Sequence, residues 1–329
     1  GMSARSTHSC TARAHSNIAL IKYWGKRDDR LKLPAVGSIS MTLDALYTDT
    51  RVSFFPGAEH DSVDIGGRKV DPAPFTAFLD LVRAEAGIDY RARVESWNNF
   101  PTGAGLASSA SGFAALALAA SRAAGLEADP RALSILARQG SGSAARSIFG
   151  GLVEMHRGTR DDGQDAFAEP IANSADWPLE VVVAITERAP KTVNSSVGMH
   201  GLAERSDYYD AWVSHAENDL AAMREAIGGR DFEALGALTE MSCLKLHGLM
   251  LSTRPGLLYW NPATVAAMQA VRALRSEGVP VYFTIDAGPQ VKAICEPEHA
   301  ATVEQALAAV PGVLDTRRSA LGPAAYVFD

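Results

Sequence analysis

Residues 98–125 read NNFPTGAGLASSASGFAALALAASRAAG, and this stretch decides the fold class. A loop of glycine and small hydroxyl residues leads directly into a long alanine-rich apolar segment, which is typical of a loop that feeds a buried helix. Such junctions often bind phosphate, because the first N–H groups of a helix are free to donate. The lysine of a Walker-type loop is absent. The residues alone leave a phosphate site of another kind and a tightly packed turn about equally favoured.

Turn and helix signals continue on both sides of this stretch. Before it, short β-rich runs such as SISMTL and TRVSFFP alternate with turns. After it, Gly125 is a suitable residue to end the first helix. A second helix begins after Asp129, whose side chain suits the N-cap position, and ends at Gly140. The first part of the chain is therefore predicted to mix strands and helices.

The pattern changes after about Arg188, where long helical periodicities begin. They are followed by the strand VPVYFTIDAG, a final helix and the strand AAYVFD. The three long helices are predicted at 206–227, 232–251 and 262–277. We therefore predict an α+β fold with two domains, at residues 2–187 and 188–329, the second built of helices over a sheet.

Composition and charge exclude several function classes. Of 329 residues, 47% are hydrophobic and 21% charged, which is ordinary for a globular protein. The net charge of −7 argues against bulk nucleic-acid binding, so a local basic patch must meet any anionic ligand. No apolar run is long enough to cross a membrane, and no signal peptide is expected. Three scattered cysteines and eight histidines show no metal-ligand spacing, which favours a reducing cytoplasm.

The segment IKYWGKRDD, at residues 21–29, places Lys22 and Lys26 around an aromatic pair. On a strand the two lysines would face the same side, because their offset is even. The alternative is a solvated sheet edge that lysines guard against pairing. This segment taken alone favours the solvated edge.

Two further segments carry residues suited to chemistry. In RQGSGSAARSIFGG, Ser141 and Ser143 flank a glycine and Arg146 follows one turn later, which suits an anion clamp or, alternatively, an ordinary N-cap beside a surface arginine. In YFTIDAGPQVK, Asp286 ends an apolar strand, where catalytic acids are commonly held. The alternative for Asp286 is a simple turn aspartate before Gly-Pro.

Together and in this order, the four segments resemble the mevalonate diphosphate decarboxylase family of the GHMP kinase superfamily. AHSNIALIKYWGKRD resembles its N-terminal signature and NNFPTGAGLASSASG its nucleotide loop. GSGSAARSIFGG and KTVNSSVGM resemble its substrate segments, and FTIDAGP resembles its catalytic aspartate strand. The resemblance implies the two-domain GHMP kinase fold, with a ribosomal protein S5 domain 2-like N-terminal domain and a ferredoxin-like C-terminal domain.

The resemblance also implies an activity and a site. The family uses ATP to phosphorylate the 3-hydroxyl of mevalonate 5-diphosphate, and loss of that phosphate with CO2 gives isopentenyl diphosphate. The implied catalytic residues are Asp286 as acceptor of the hydroxyl proton, Lys22 beside the transferring phosphoryl group and Arg146 on the carboxylate. The residues implied to bind substrate are Tyr23, Lys26, Ser141, Ser143 and Ser195.

ATP and Mg²⁺ are the implied cofactors, and a homodimer in the cytoplasm that binds neither nucleic acid nor membrane is the implied form. Ser109 is expected to meet Mg²⁺ through ATP. The residues expected to bind the nucleotide are Asn98, Gly103, Gly105, Leu106, Ala107, Ser108 and Ser109.

The sequence departs from the family pattern at a few positions. Val36 and Gly37 stand where an Asn-Ser pair is usual, Gly103 stands for alanine, and Ser196 stands where some bacterial members carry arginine. These departures leave open mevalonate 5-phosphate as the substrate. They also leave open a kinase that stops at the phosphorylated alcohol and a non-catalytic nucleotide-binding protein on the same fold.

Overall fold

The computed structural model describes residues 8–100 and 108–329 of the chain. Both sheets and the helices that cover them form within these residues. The strands are β1 (Ser9–Ile21), β2 (Lys26–Asp28), β3 (Leu33–Pro34), β4 (Ser38–Phe55), β5 (Ser62–Ile65), β6 (Arg68–Val70), β7 (Arg91–Asn98), β8 (Leu152–Met155), β9 (Ala168–Ala172), β10 (Glu180–Ile185), β11 (Tyr282–Thr284), β12 (Val291–Cys295), β13 (Asp315–Ala320) and β14 (Tyr326–Val327).

The helices lie mainly in the second half of the chain, as the periodicity predicts. They are α1 (Ala73–Ala86), α2 (Ser108–Ala123), α3 (Pro130–Gly140), α4 (Ala144–Ser147), α5 (Ser195–Met199), α6 (Leu202–Arg205), α7 (Tyr209–Gly228), α8 (Phe232–Leu251), α9 (Pro262–Ser276) and α10 (Ala300–Ala308). Among these helices of the described ranges, none combines the length and hydropathy needed to cross a membrane.

The first sheet runs in the order β14-β1-β4-β7-β5-β6, with β8 on β4 and β9 on β8. Its neighbours are antiparallel except β5 and β7. Helix α2 packs on β1 and β4, and the alanines along it are fully buried. Small side chains let the helix lie close to the sheet, so the predicted buried helix is confirmed.

The second sheet has the order β11-β12-β10-β13 and is antiparallel. The run Val181–Ile185 is 2% exposed or less, which confirms the prediction of a strand buried on both faces. β10 precedes the domain boundary expected at Glu187, and β14 returns to the first sheet beside β1. The boundary between 187 and 188 itself stays a prediction.

Two irregularities in β1 position residues that matter for the site. The register between β1 and β4 shifts between His15 and Asn17, and again between Ala19 and Ile21. Such bulges re-aim side chains and end regular pairing. Residues 22–25 then lie outside the strands, so the expectation that Lys22 and Lys26 share one strand is wrong.

Helix α8 lies very close to β11, the strand that leads to Asp286. Gly236 of α8 is buried, and a Cβ added there would overlap the ring of Tyr282. The second cysteine, Cys243, packs further along the same helix in the core below the sheet. The position of β11 therefore depends on the missing side chain at Gly236.

We predict that Gly236→Ala lowers the free energy of unfolding by about 1–3 kcal/mol, because the buried ring of Tyr282 has to shift. Chemical denaturation measures the change. The matched control is Gly228→Ala, in α7, where a new Cβ meets nothing within 4 Å. The control should be neutral or stabilising by up to about 1 kcal/mol, and equal behaviour of the two variants would contradict the close-packing argument.

Candidate active site

A cavity of about 840 Å³ lies where the ends of β1 and β11 meet the helices of both halves. Six of the lining side chains are cationic, and one, Asp286, is acidic. The cationic lining residues are Lys22, Lys26, Arg30, Lys32, Arg146 and Lys191. A chain with a net charge of −7 thus gathers positive charge in one place, which confirms the expected local basic patch.

The centre of the cavity is an ion pair between residues 264 positions apart. Lys22 directly follows β1, and its Nζ lies 2.6 Å from Asp286 Oδ1. Lys292 of β12 approaches the other carboxylate oxygen at 3.6 Å. The Lys22 side chain is 2% exposed, whereas Asp286 keeps 24% of its side chain open to the cavity. The pair is therefore buried from the rear and open towards a ligand.

The charge state of Asp286 follows from these neighbours. Burial would raise the pKa of its carboxyl group, but the charges of Lys22 and Lys292 and the hydrogen bond from Lys22 outweigh burial. The pKa of Asp286 therefore lies well below the usual range, and the group is an anion at neutral pH. Burial lowers the pKa of Lys292, and Asp286 opposes that shift.

Helix α8 holds both partners of this ion pair through backbone atoms. The Lys22 N–H donates to Ser242 Oγ at 2.9 Å. His247, stacked near Trp260, lies with Nε2 3.0 Å from the carbonyl oxygen of Ile285, the residue before Asp286. Burial lowers the pKa of His247 to about 4, so its neutral ring donates this hydrogen bond at pH 7.

Arg146 is buried behind the ion pair, with 4% exposure. Nη1 donates to Ser38 Oγ at 2.7 Å, and Nε and Nη2 donate to Asn17 Oδ1 at 3.2 and 3.1 Å. No carboxylate of the described residues lies within ion-pair distance of it. Burial lowers the pKa of Arg146 to about 10, which leaves the guanidinium charged at neutral pH. It can therefore attract an anionic group from a ligand.

Hydroxyl groups converge on another part of the cavity wall. Ser141 Oγ lies 3.3 Å from the Oγ atoms of both Ser109 and Ser143. Ser143 precedes α4 but makes no side-chain capping bond, so the simple N-cap alternative fails for it. The hydroxyl of Tyr23 is buried without a hydrogen-bond partner in the described ranges, and it lies against Gly142. An unpaired buried hydroxyl is a suitable donor to a bound anion.

The remaining predicted residues divide into three groups. Lys26 and Ser195 line the cavity, and Ser195 Oγ also accepts from Lys191 Nζ at 3.3 Å. Asn98 ends β7, accepts a hydrogen bond from Thr48 and is not among the lining residues. The predictions for Gly103, Gly105, Leu106 and Ala107 lie outside the described residues, and the side chain of Ser108 is not described either.

Sequence reasoning did not single out several residues of the site. Asn17 orients Arg146, and Ser242 and His247 hold the backbone of the ion pair. Lys191 donates to Ala287 O at 2.9 Å beside Asp286, and burial lowers its pKa. Lys191 stands within the quoted segment KTVNSSVGM, so that motif was the available signal; α8 offered none.

The fold and the cavity define an enzyme of the GHMP kinase type, with a cationic cleft for a small phosphorylated acid. The family model described as diphosphomevalonate decarboxylase-like N-terminal domain matches residues 14–168. The model described as mevalonate 5-diphosphate decarboxylase C-terminal domain matches residues 181–321. The chain belongs to the diphosphomevalonate decarboxylase family, which confirms the resemblance and the fold class expected from it.

Named relatives agree with this assignment. Phosphomevalonate decarboxylase of Haloferax volcanii is 37% identical over 302 residues, which are 91% of each chain. Diphosphomevalonate decarboxylase of Candida albicans is 36% identical over 299 residues, covering 86% of this chain and 83% of the relative. Both kinds of decarboxylase are thus represented at similar identity.

Solved structures match over almost the whole length. Mevalonate diphosphate decarboxylase from Staphylococcus aureus superposes with a TM-score of 0.92, at 37% identity, covering 98% of both chains. The enzyme from Enterococcus faecalis gives 0.89 at 39% identity, covering 98% of this chain and 99% of the other. A complex of the protein abbreviated MDDEF with MVAPP, AMPPCP and magnesium gives 0.91 at 40% identity, with 98% and 99% covered.

The pKa of His247 leads to a prediction about stability and pH. The unfolded chain takes up this proton near pH 6.5 and the folded chain only near pH 4, so protonation favours unfolding between these values. Wild type should lose about 2 kcal/mol more than His247→Gln between pH 6.5 and 5, at about 1.4 kcal/mol per pH unit.

Urea denaturation at several pH values measures this difference. The control is His215→Gln, which replaces an exposed histidine of α7 and should keep the wild-type dependence. If His247→Gln shows the same loss of stability as wild type, the ring is not the neutral donor to Ile285 that the geometry indicates.

Proposed function

We propose that this protein catalyses the ATP- and Mg²⁺-dependent decarboxylation of mevalonate 5-diphosphate to isopentenyl diphosphate, ADP, phosphate and CO2. The observation that carries the proposal is the Lys22–Asp286 pair at the floor of a cationic cavity, with Arg146 beside it. The family assignment supplies the reaction class. The roles of the individual residues are proposed from the geometry.

Asp286 orients the 3-hydroxyl group of the substrate and accepts its proton as phosphate is transferred. Three cations, Lys22, Lys292 and Arg146, hold the free carboxylate strongly ionised. A bound anionic substrate offsets part of this positive field, so the pKa of Asp286 rises on binding. The aspartate therefore becomes a better base when the substrate is in place.

Lys22 and Arg146 act on the charges that change during the reaction. The ammonium of Lys22 stays next to the oxygen that receives the phosphoryl group and lowers the energy of its developing charge. Asn17 and Ser38 fix the guanidinium of Arg146, which still has N–H groups to grip the substrate carboxylate. When the 3-phosphate leaves, the bond to that carboxylate breaks, and its electron pair forms the new double bond.

The phosphorylated tail of the substrate binds at the hydroxyl and lysine groups of the cavity. Lys26 supplies charge, and Tyr23, Ser141 and Ser143 supply hydroxyl donors. Ser195, held by Lys191, faces the same space. These groups match the needs of a diphosphate, whose several oxygens accept hydrogen bonds at once.

ATP supplies the phosphoryl group, and Mg²⁺ neutralises the charge on its phosphates. The described residues contain no group of three or more histidine, cysteine or acidic side chains that could hold a metal ion. That fits an ion carried in with ATP and bound mainly by phosphate oxygens, water and a hydroxyl such as Ser109. The complex with AMPPCP and magnesium in the family supports this assignment.

Mevalonate 5-phosphate is the second candidate substrate, because one relative at 37% identity is named phosphomevalonate decarboxylase. The unusual residues Val36 and Gly37 do not add to its case. Val36 is buried, Gly37 packs against Leu220 and the Met155 carbonyl, and neither lines the cavity. The contacts with Lys26 and the serine hydroxyls favour the diphosphate.

A homodimer and a cytoplasmic location complete the proposal. The homodimer rests on the family resemblance, and light scattering on the eluting protein tests it by giving one or two chain masses. The cytoplasm is favoured by Cys10, Cys243 and Cys295, which are all buried and unpaired.

We predict that Asp286→Asn lowers kcat about 10²–10⁴-fold, because the amide cannot accept the hydroxyl proton. The assay follows ADP and CO2 together with ATP, Mg²⁺ and mevalonate 5-diphosphate. Asp315→Asn, at an exposed end of β13, is the matched control and should keep wild-type rates. ATP affinity measured by calorimetry should be unchanged in Asp286→Asn. Turnover within a few fold of wild type would remove Asp286 from the proposed role.

A further inference from the structure

Lys32 has a backbone conformation that side chains rarely adopt. It lies in the turn between β2 and β3, with φ of +53°. In the described part of the chain, Arg230 is the other non-glycine residue with positive φ, and it is exposed and lines no cavity. Lys32 instead is half-buried and lines the cavity. A strained residue at a site is a reason to look for a function.

The left-handed turn brings the ammonium group of Lys32 to the serine loop. Its Nζ donates to the carbonyl oxygen of Gly140 at 2.6 Å, immediately before Ser141 and Ser143. Lys26 stands on the paired strand β2 and lines the same part of the cavity. The two ammonium groups and the serine hydroxyls therefore surround one small volume.

The two lysines repel each other in the free protein. Burial lowers the pKa of Lys32, and the charge of Lys26 lowers it further. Neither ammonium has a carboxylate within ion-pair distance in the ranges 8–100 and 108–329, although Asp29 acts on Lys26 from farther away. Two close cations without a paired acid are most stable when an anion binds between them.

This cation pair lies at the end of the cavity away from the chemistry. The charge of Asp286 acts on the pKa values of Arg146, Lys191 and Lys292. It does not contribute to the pKa shifts of Lys26 and Lys32. A group bound between these two lysines is thus distant from the reacting hydroxyl, as the outer phosphoryl group of the substrate tail must be.

We propose that Lys32 is a specificity-determining residue that binds the outer phosphoryl group of a 5-diphosphate substrate together with Lys26. This assignment rests on the proposed function and deepens it, because it states how the cavity distinguishes a diphosphate from a monophosphate. A monophosphate reaches only the inner groups and leaves the repulsion between Lys26 and Lys32 uncompensated. The diphosphate relieves it and gains a charged hydrogen bond.

The test compares Lys32→Asn with wild type on both substrates. Asparagine tolerates the left-handed conformation, so the variant removes the ammonium group and keeps the turn. We expect KM for mevalonate 5-diphosphate to rise about tenfold, which corresponds to about 1.4 kcal/mol. KM for mevalonate 5-phosphate and kcat for the diphosphate should change less than about twofold. Lys32→Arg should restore most of the diphosphate affinity, and exposed Lys69→Asn on β6 is the matched control.

Equal changes for the two substrates, no change, or failure of Lys32→Arg to restore affinity would overturn the assignment and leave Lys32 as a support for Gly140. Turnover of the monophosphate alone by wild type would also overturn it. If wild type turns over neither substrate, the proposed function fails, and calorimetry with inorganic pyrophosphate and orthophosphate still tests Lys32. Tighter pyrophosphate binding that Lys32→Asn abolishes supports the assignment. No pyrophosphate binding by wild type, or equal affinity in both proteins, refutes it.

Discussion

The ion pair between Lys22 and Asp286 joins the end of β1 to the end of β11, and the geometry of the cavity depends on it. Moving charges out of water is costly unless each finds a partner. Here Lys292 and Arg146 add positive charge around a single carboxylate, so the buried cluster is more positive than neutral. The protein thus holds at its centre a site that only an anionic ligand can balance.

Helix α8 makes that arrangement rigid. Ser242 fixes the backbone of Lys22, and His247 fixes the backbone just before Asp286. Close packing at Gly236 holds the same helix against β11. A single helix therefore sets the relative position of two catalytic side chains from opposite ends of the chain, which catalysis by positioning requires.

Much of the fold and part of the site follow from the sequence. The buried helix after residue 108, the strand at Val181–Ile185 and the long helices appear as their periodicity predicts. Lys22, Arg146 and Asp286 meet in one cavity as the motifs imply. The even spacing of Lys22 and Lys26 misled, because a bulge and the end of β1 intervene.

Residues whose roles depend on distant packing could not be predicted. His247 looked like any buried histidine, since its partner carbonyl is 38 residues away in sequence. Lys32 gave no signal because neither its left-handed backbone nor its distance from Gly140 is written in local composition. The pairing of β14 with β1 likewise closes a contact between the two ends of the described chain.

The most direct test of the central claim is the reaction stoichiometry of the wild-type protein. Purified protein is supplied with ATP, Mg²⁺ and mevalonate 5-diphosphate, and ADP and CO2 are measured in the same sample. The account predicts equal amounts of the two products, because Asp286 and Arg146 serve successive steps on one bound substrate. ADP without CO2, or neither product, would contradict it.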